Sequence, residues 1–274
     1  MTTDDWAALW QSLATEDVQS GAEGEQQMVT RWRRVAQELD AATGKRPNYP
    51  DPLLDFLLSR LTPDMTVLDI GAGVGRWTVP IARKVLHVTA IEPAPGMREV
   101  LRERLETLHI TNVAIVAASW KDIHPATHDI AVASHSTYTS PDLLEYVRKM
   151  ESCARKSCYL ALRVPAHDGA IGELSRRVRG QWHDSPNFIV GYNLLLAAGV
   201  YGNVVMEQSA VRHWTDATLE DAVLRVKRHL RLEDNAHDAM LLDYLLQRLK
   251  LVKGAYQWPD GMRSALIYWD KDAA

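Results

Sequence analysis

Cysteine is nearly absent. Cys153 and Cys158 are the only two in 274 residues, too few for a disulfide framework or a cysteine zinc site. No apolar run approaches the ~20 residues that span a bilayer. The amino-terminal stretch, with Asp4, Asp5, Glu16 and Asp17, has neither the basic region nor the apolar segment of a secretory signal. Positive charge is not in excess either: 31 Lys and Arg face 35 Asp and Glu, for a net charge of −4. No global field therefore holds nucleic acid non-specifically. There is no internal repeat, no low-complexity tract, and no acidic or histidine cluster with defensible metal-ligand spacing. These absences exclude a disulfide scaffold, a membrane span and a broadly basic binder. A cytoplasmic enzyme without a metal is the expectation.

What is present suits one large domain carrying a lid, since the chain is 46% hydrophobic and 24% charged. Trp6, Leu9, Trp10 and Leu13 fall on one stripe of an amphipathic helix, and Met28, Trp32, Val35, Ala36 and Leu39 repeat that spacing. Gly44 and Pro47 then break the chain, and Asp51-Pro52 offers an N-cap followed by proline before Leu53 to Leu61. The reading is a helical cap over residues 1–50 and a main domain over 51–274.

From Met65 the period changes. Val67–Ile70, Val88–Ile91, Val113–Ala117, Ile130–Ala133 and Tyr159–Val164 read as strands. Helices over Trp77–Val85, Met97–Leu108 and Leu143–Cys153 separate them. Such alternation predicts an α/β fold, a parallel sheet with helices on both faces. Val204–Glu207 and Ala265–Trp269 supply two further strands. Between them, helices through Leu219, Val223, Val226 and Leu230 and through Leu241, Leu245 and Leu249 form an insertion, a lid over about residues 212–256. The two cysteines read as buried structural thiols.

The most informative segment is Val67-Leu68-Asp69-Ile70-Gly71-Ala72-Gly73-Val74-Gly75-Arg76. It is an apolar strand with a carboxylate near its end, three alternate glycines and then a helix. Glycine permits positive φ and lets a ligand lie against backbone. In an open α/β sheet the crevice beyond the strand ends is where ligands bind. A second strand ends at Glu92, where a carboxylate can accept bonds from both hydroxyls of a ribose. A dinucleotide fingerprint wants its third glycine three residues after the second, but Arg76 stands there. Asp69 would repel a pyrophosphate and welcome an ammonium. An ammonium at one end and a ribose at the other describe S-adenosylmethionine.

On these residues the sequence resembles the class I S-adenosylmethionine-dependent methyltransferases. Leu68 to Gly75 is similar to that family's first motif, and Ile91-Glu92-Pro93 to the acidic strand end that follows. The resemblance covers roughly Met65 to Val164. It implies a Rossmann-like, seven-stranded, mostly parallel sheet with the first strand central and the last antiparallel. It also implies that Asp69, Gly71, Ala72 and Gly73 line the methionine end, with Glu92 and Pro93 at the ribose and Met97 against adenine. Ser119 and Trp120 stand where the family often has an acidic residue near the adenine amine. After the fourth strand, Ser134-His135-Ser136-Thr137-Tyr138 replaces the Asn-Pro-Pro-aromatic run of many planar-amine methylases.

His135, emerging at the crevice, is the candidate general base, and Tyr138 is the second catalytic candidate. Arg163 closes the fifth strand and suits an anionic acceptor. Tyr192 and Asn193, near Trp182-His183-Asp184, are candidates for a pocket wall. The expected reaction is methyl transfer by in-line displacement to a small-molecule acceptor, anionic or aromatic. Nucleic acid and membrane are not expected as partners, and the oligomeric state, a homodimer among the options, is left open. Two alternatives stand beside this reading. One is an RNA-modifying methyltransferase using Arg31, Arg33, Arg34 and the Arg176–Arg179 run; the other is a cofactor-binding protein of the same fold without turnover.

Overall fold

The computed structural model describes residues 1–19, 51–165, 169–180, 185–208, 212–230 and 232–271. The expected Met28–Leu39 helix, Arg31, Arg33, Arg34 and Trp182–Asp184 lie outside the described residues. Among the described residues, no helix is long and apolar enough to cross a membrane.

Seven strands form the main sheet: β1 (Thr66–Ile70), β2 (His87–Ile91), β3 (Val113–Val116), β4 (His128–Ser134), β5 (Ala154–Val164), β6 (Asn203–Met206) and β9 (Ala255–Asp270). Their order is β3-β2-β1-β4-β5-β9-β6. The strands from β3 to β5 pair in parallel, and β9 runs antiparallel to both β5 and β6. The expected central first strand and antiparallel last strand are both present. The order reverses between β1 and β4, so a crevice opens at their carboxyl ends.

The central strands are buried on both faces, as parallel strands must be. Leu68, Ile70, Ala131, Ala133, Leu160 and Leu162 face one core with α1 (Thr3–Gln19), α5 (Leu143–Ser152) and α7 (Phe188–Ala197). Val67, Val132, Tyr159, Ala161 and Leu266 face the other, with α2 (Pro52–Ser59) and α3 (Thr78–Ala82). α2 opens as its sequence requires: the Asp51 carboxylate accepts the Leu54 N–H at 3.1 Å, and Pro52 fills the first helical position. α4 (Pro95–Thr107) follows β2 and packs against β3.

The insertion contains the two expected helices, α8 (Leu219–Leu230) and α9 (Asp238–Arg248), and also two strands, β7 (Arg212–Asp216) and β8 (Lys250–Val252). Both strands pair with the first half of β9. The last strand thus begins at Ala255, well before the expected Ala265. Pro259 and Gly261 lie within this strand, and the ladder is irregular there. Two steps along β7, His213 to Thr215, face four along β9, Gly261 to Gln257. The lid has its own core, in which Leu174 of α6 (Ala170–Arg179) meets Val226, Leu241, Leu245 and Trp258. Asp216 anchors it, accepting two bonds from the Arg225 guanidinium and one from Trp258 Nε1 at 2.7 Å.

α1 belongs to the main core. Trp10 is fully buried and donates its indole N–H to Ser140 O at 2.9 Å, in the loop after β4. Trp10→Ala is expected to cost about 3–5 kcal/mol in a single urea transition, and Trp10→Phe only about 1 kcal/mol. A separate early transition would mean that α1 folds apart from the sheet.

Candidate functional site

The expected site residues at the strand ends gather on one edge. Gly71 follows β1, Glu92 follows β2, His135 follows β4, and Arg163 is the penultimate residue of β5. The loop after β1 is fixed from two directions. The N–H groups of Gly71 and Ala72 both donate to Ile91 O, at 2.8 and 3.0 Å. The Glu92 carboxylate then accepts the Gly73 N–H on Oε2 and the Ala94 N–H on Oε1, each at 2.8 Å. Arg98 Nη1 donates to the carbonyl oxygens of Glu92 and Pro93.

Two glycines in the loop have different reasons. At Gly71, with φ +76°, a Cβ would stand 2.3 Å from Ser136 Cβ. At Gly73, with φ +57°, a Cβ would meet nothing within 4 Å. The backbone at Gly73 therefore faces open space, as a loop that cradles a ligand must. Ala72 turns its methyl into a small core with Val79, Ala90 and Leu101, which leaves only its backbone to a ligand. Met97, in the first turn of α4, is buried against Val74 and Val100, so it braces the loop from behind.

Asp69 lies beneath the loop rather than on its surface. It is 2% exposed and accepts the Thr78 hydroxyl at 2.6 Å. Burial pushes its carboxyl up to about 6; the Thr78 bond opposes the shift and the Glu92 charge adds to it. Burial also raises Glu92, against its two backbone N–H donors and Arg98. Ser136 donates to Ile70 O at 2.6 Å and meets the Tyr146 hydroxyl at 3.2 Å. Burial pushes that Tyr146 hydroxyl up as well.

The residues fit a ligand with a cation at one end and a vicinal diol at the other. A carboxylate lies under the loop, and each Glu92 oxygen, one lone pair taken by the loop, has a second to offer. Trp120 is buried, its Nε1 donating to Tyr146 O at 3.4 Å, and the Lys149 ammonium lies 4.8 Å from its ring centre. Ser119 is half-buried and leads the short 3-10 turn Trp120–Asp122, without spending its hydroxyl as a cap.

His135 has a left-handed backbone, φ 57°, uncommon for a side-chain-bearing residue, and its N–H still reaches Ala161 O at 3.0 Å. Its Nδ1 lies 2.7 Å from Tyr138 Oη, and Tyr138 Oη accepts the Arg163 N–H at 2.7 Å. Its Nε2 lies 3.2 Å from Ser264 Oγ on β9. The Arg163 guanidinium donates to Ser185 Oγ and Ser185 O.

Tyr192 and Asn193 are not brought to this edge. Tyr192 Oη donates to Gly202 O beside β6, four strands from β1, and Asn193 Nδ2 donates to Ile189 O within α7. Tyr192 packs against the main core and Asn193 bonds within its own helix, uses that their residue types alone do not distinguish from a pocket wall. Arg176 and Arg177 pair with Glu173 on their own helix. Sequence reasoning missed Thr78, Ser136, Tyr146, Glu207 and Ser264, whose places depend on long-range register. Only Thr78, in the helix that follows the loop, carried a local signal. No group of three or more His, Cys, Asp or Glu able to hold a metal occurs among the described residues.

A family model described as a methyltransferase domain matches residues 42–200. An uncharacterized protein of Haemophilus influenzae is 25% identical over 254 residues, covering 88% of this chain and 89% of that protein. An uncharacterized methyltransferase of Mycobacterium tuberculosis is 34% identical over 95 residues, 30% of this chain and 38% of its own length. This chain thus spans well under half of that relative. A crystal structure from Bacillus halodurans shares the fold at a TM-score of 0.54 and 15% identity, covering 80% of this chain and 98% of that one.

Gly71→Ala is expected to cost about 3 kcal/mol through the Ser136 clash. Gly73→Ala should cost only about 1 kcal/mol, from the left-handed backbone. Thermal denaturation of the ligand-free variants separates them, and equal losses would mean that Gly73 does not face open space. Asp69 gives a pH test. Its folded pKa is raised, so its stabilising contribution is complete below the unfolded value and is lost as pH rises through about 6. Asp69→Asn should match the parent near about pH 4 and exceed it by roughly 3 kcal/mol near about pH 8. Parallel curves at the two pH values would show that Asp69 is not buried as a costly charge.

Proposed function

This chain belongs to the class I S-adenosylmethionine-dependent methyltransferases and uses S-adenosylmethionine as its cofactor, and we propose that its methyl acceptor is a small molecule. The observation that carries the proposal is the position of the lid. The last pairing of β9 with β5 is Arg263 against Val164, at the carboxyl end of β5. From there toward Ala255, β9 continues beyond the sheet and pairs with β7 and β8. The lid sheet and its helices therefore rise from the same edge that carries the glycine loop, Glu92 and His135. A covered crevice of this kind suits an acceptor that enters whole, and it excludes water around the reacting groups.

The bound cofactor supplies a methyl group on a sulfonium, open to capture by a nucleophile. In this reading the Gly71–Gly73 backbone and the Asp69 charge hold the amino-acid end, and Glu92 holds the ribose. Ser119 borders the adenine, with Met97 and Trp120 packed behind. His135 receives the proton that the acceptor gives up. Tyr138 steadies the imidazole at Nδ1 and is itself fixed by the Arg163 N–H. Arg163 at the rim favours an acceptor with an anionic group.

The test is transfer of labelled methyl from S-adenosylmethionine into fractions of a bacterial extract. Label is expected in the dialysable fraction, and label in RNA alone would overturn the small-molecule reading. His135→Ala should slow that transfer by about 10²–10⁴-fold while S-adenosylhomocysteine affinity, read by calorimetry, stays at the parent value. Undiminished transfer would remove His135 as the base.

A further inference from the structure

Two hydroxyls tie the turn at Gly71 to the loop and helix that follow β4. The paired residues of β1 and β4 end at Asp69 and Val132. One step further along β1, the Ile70 carbonyl accepts the Ser136 hydroxyl at 2.6 Å. Ser136 also presses against Gly71 where a Cβ would stand, and Gly71 has φ +76°. A side chain from the β4 loop thus fastens the glycine loop at its first residue.

The direction of these bonds follows from their chemistry. A carbonyl only accepts, so the proton between Ser136 Oγ and Ile70 O belongs to the hydroxyl. Tyr146 Oη, 3.2 Å from the same Oγ, is left to donate to it. Tyr146 is buried on α5, where a phenol without an acceptor would be costly. A hydroxyl that accepts one bond is polarised to give a stronger one, so Tyr146 strengthens the hold of Ser136 on Ile70. The carbonyl and ring of Tyr146 are engaged elsewhere, at Trp120. The carbonyl accepts the Trp120 Nε1–H at 3.4 Å, and the two rings lie 5.7 Å apart. The Tyr146 hydroxyl can therefore be removed without touching the contacts beside the adenine.

We infer that Ser136, backed by Tyr146, is a positioning residue that sets the Gly71 turn for the amino-acid end of the cofactor. That role rests on the reading that the Gly71–Gly73 backbone holds that end, and it is independent of the acceptor and of His135. Its consequence is a division of labour. The contact between the β4 loop and the end of β1 governs the grip on the amino acid, whereas Glu92 and the Ser119 turn grip the nucleoside.

Calorimetry with two ligands tests it. S-adenosylhomocysteine carries the amino acid, whereas 5′-methylthioadenosine keeps only the adenine, the ribose and the thioether. Ser136→Ala is expected to weaken S-adenosylhomocysteine about tenfold and to leave methylthioadenosine at the parent affinity. Tyr146→Phe should show the same selectivity to a smaller degree, and should add nothing in the Ser136→Ala background. Independent losses would overturn the link to Tyr146. Gly73→Val puts a side chain into the open space of the loop and should also weaken S-adenosylhomocysteine alone. A merely structural role for Ser136 would weaken both ligands alike. That result, or no change in either, beside a selective Gly73→Val would overturn the inference and leave the loop reading intact. A Gly73→Val variant without selectivity would overturn the loop reading and the inference together. Where methylthioadenosine binds the parent too weakly to measure, amide exchange of the ligand-free chain decides. Faster exchange in Ser136→Ala confined to residues 70–76 supports the inference, and unchanged exchange, or an equal rise over 113–122, overturns it. Ser136 is half-buried, so its alanine variant is expected to fold.

Discussion

One strand, β9, constrains most of what this molecule can do. It is the antiparallel partner of β5, the only bridge to edge strand β6 among the described residues, and the strand on which both lid strands pair. Hydrogen bonds along a shared strand are not made independently, so the lid cannot rotate freely on flexible linkers. The β7–β9 ladder is irregular around Pro259 and Gly261. Ser264 lies just inside the main sheet from that point. The Glu207 carboxylate accepts its N–H there at 2.6 Å.

The second constraint is electrostatic. Asp69 is raised by burial and further by the Glu92 charge, and burial raises Glu92 as well; two carboxylates in one desolvated place are unfavourable. The fold tolerates them because backbone N–H groups and the Thr78 hydroxyl satisfy their oxygens. Those bonds keep the loop shaped before any ligand arrives, and the remaining cost is a field that favours cations. A ligand with a positive end then relieves repulsion already stored in the loop. This gives a physical reason for Asp69 to sit beneath the glycines rather than among them. From there its charge acts through the backbone while the surface at Gly73 stays open.

Local grammar made the fold readable. The Asp51-Pro52 start of α2, the alternating strands and helices from β1 to β5, and the glycine loop are all set by neighbours within a few residues, which is what periodicity and turn chemistry report. The lid strands were hidden because β7 and β8 are short and β9 contains a proline and a glycine that locally speak against a strand. Their pairing comes from residues some forty positions apart in sequence, Thr215 and Gln257 among them. The site divides in the same way. Gly71, Gly73 and Glu92 were visible because a strand end places them. Ser136, Tyr146, Glu207 and Ser264 were not, since each reaches the site only through a register between distant strands. Tyr192 and Asn193 show the reverse ambiguity: polar groups after β5 look like a pocket wall, while the structure places the Tyr192 hydroxyl on Gly202 O and the Asn193 amide on Ile189 O of its own helix.

Carrying the last strand past this edge has a consequence for His135 that the glycine loop alone would not have. In an open crevice, a histidine at the end of β4 would be hydrated, and its orientation would be an average over solvent. Here the ring has Tyr138 on one side and Ser264 on the other, and its backbone is held in a conformation that costs of order 1–3 kcal/mol. Such strain persists only where surrounding contacts over-determine it. The Arg163 N–H on Tyr138 and the Glu207 carboxylate behind Ser264 are those contacts, and they come from β5, β6 and β9 rather than from β4 itself. The cofactor half of the site is thus written into β1 and β2. The surroundings of His135 come from strands on the other side of β4, so the strand that carries the insertion also supplies the Ser264 contact to the imidazole.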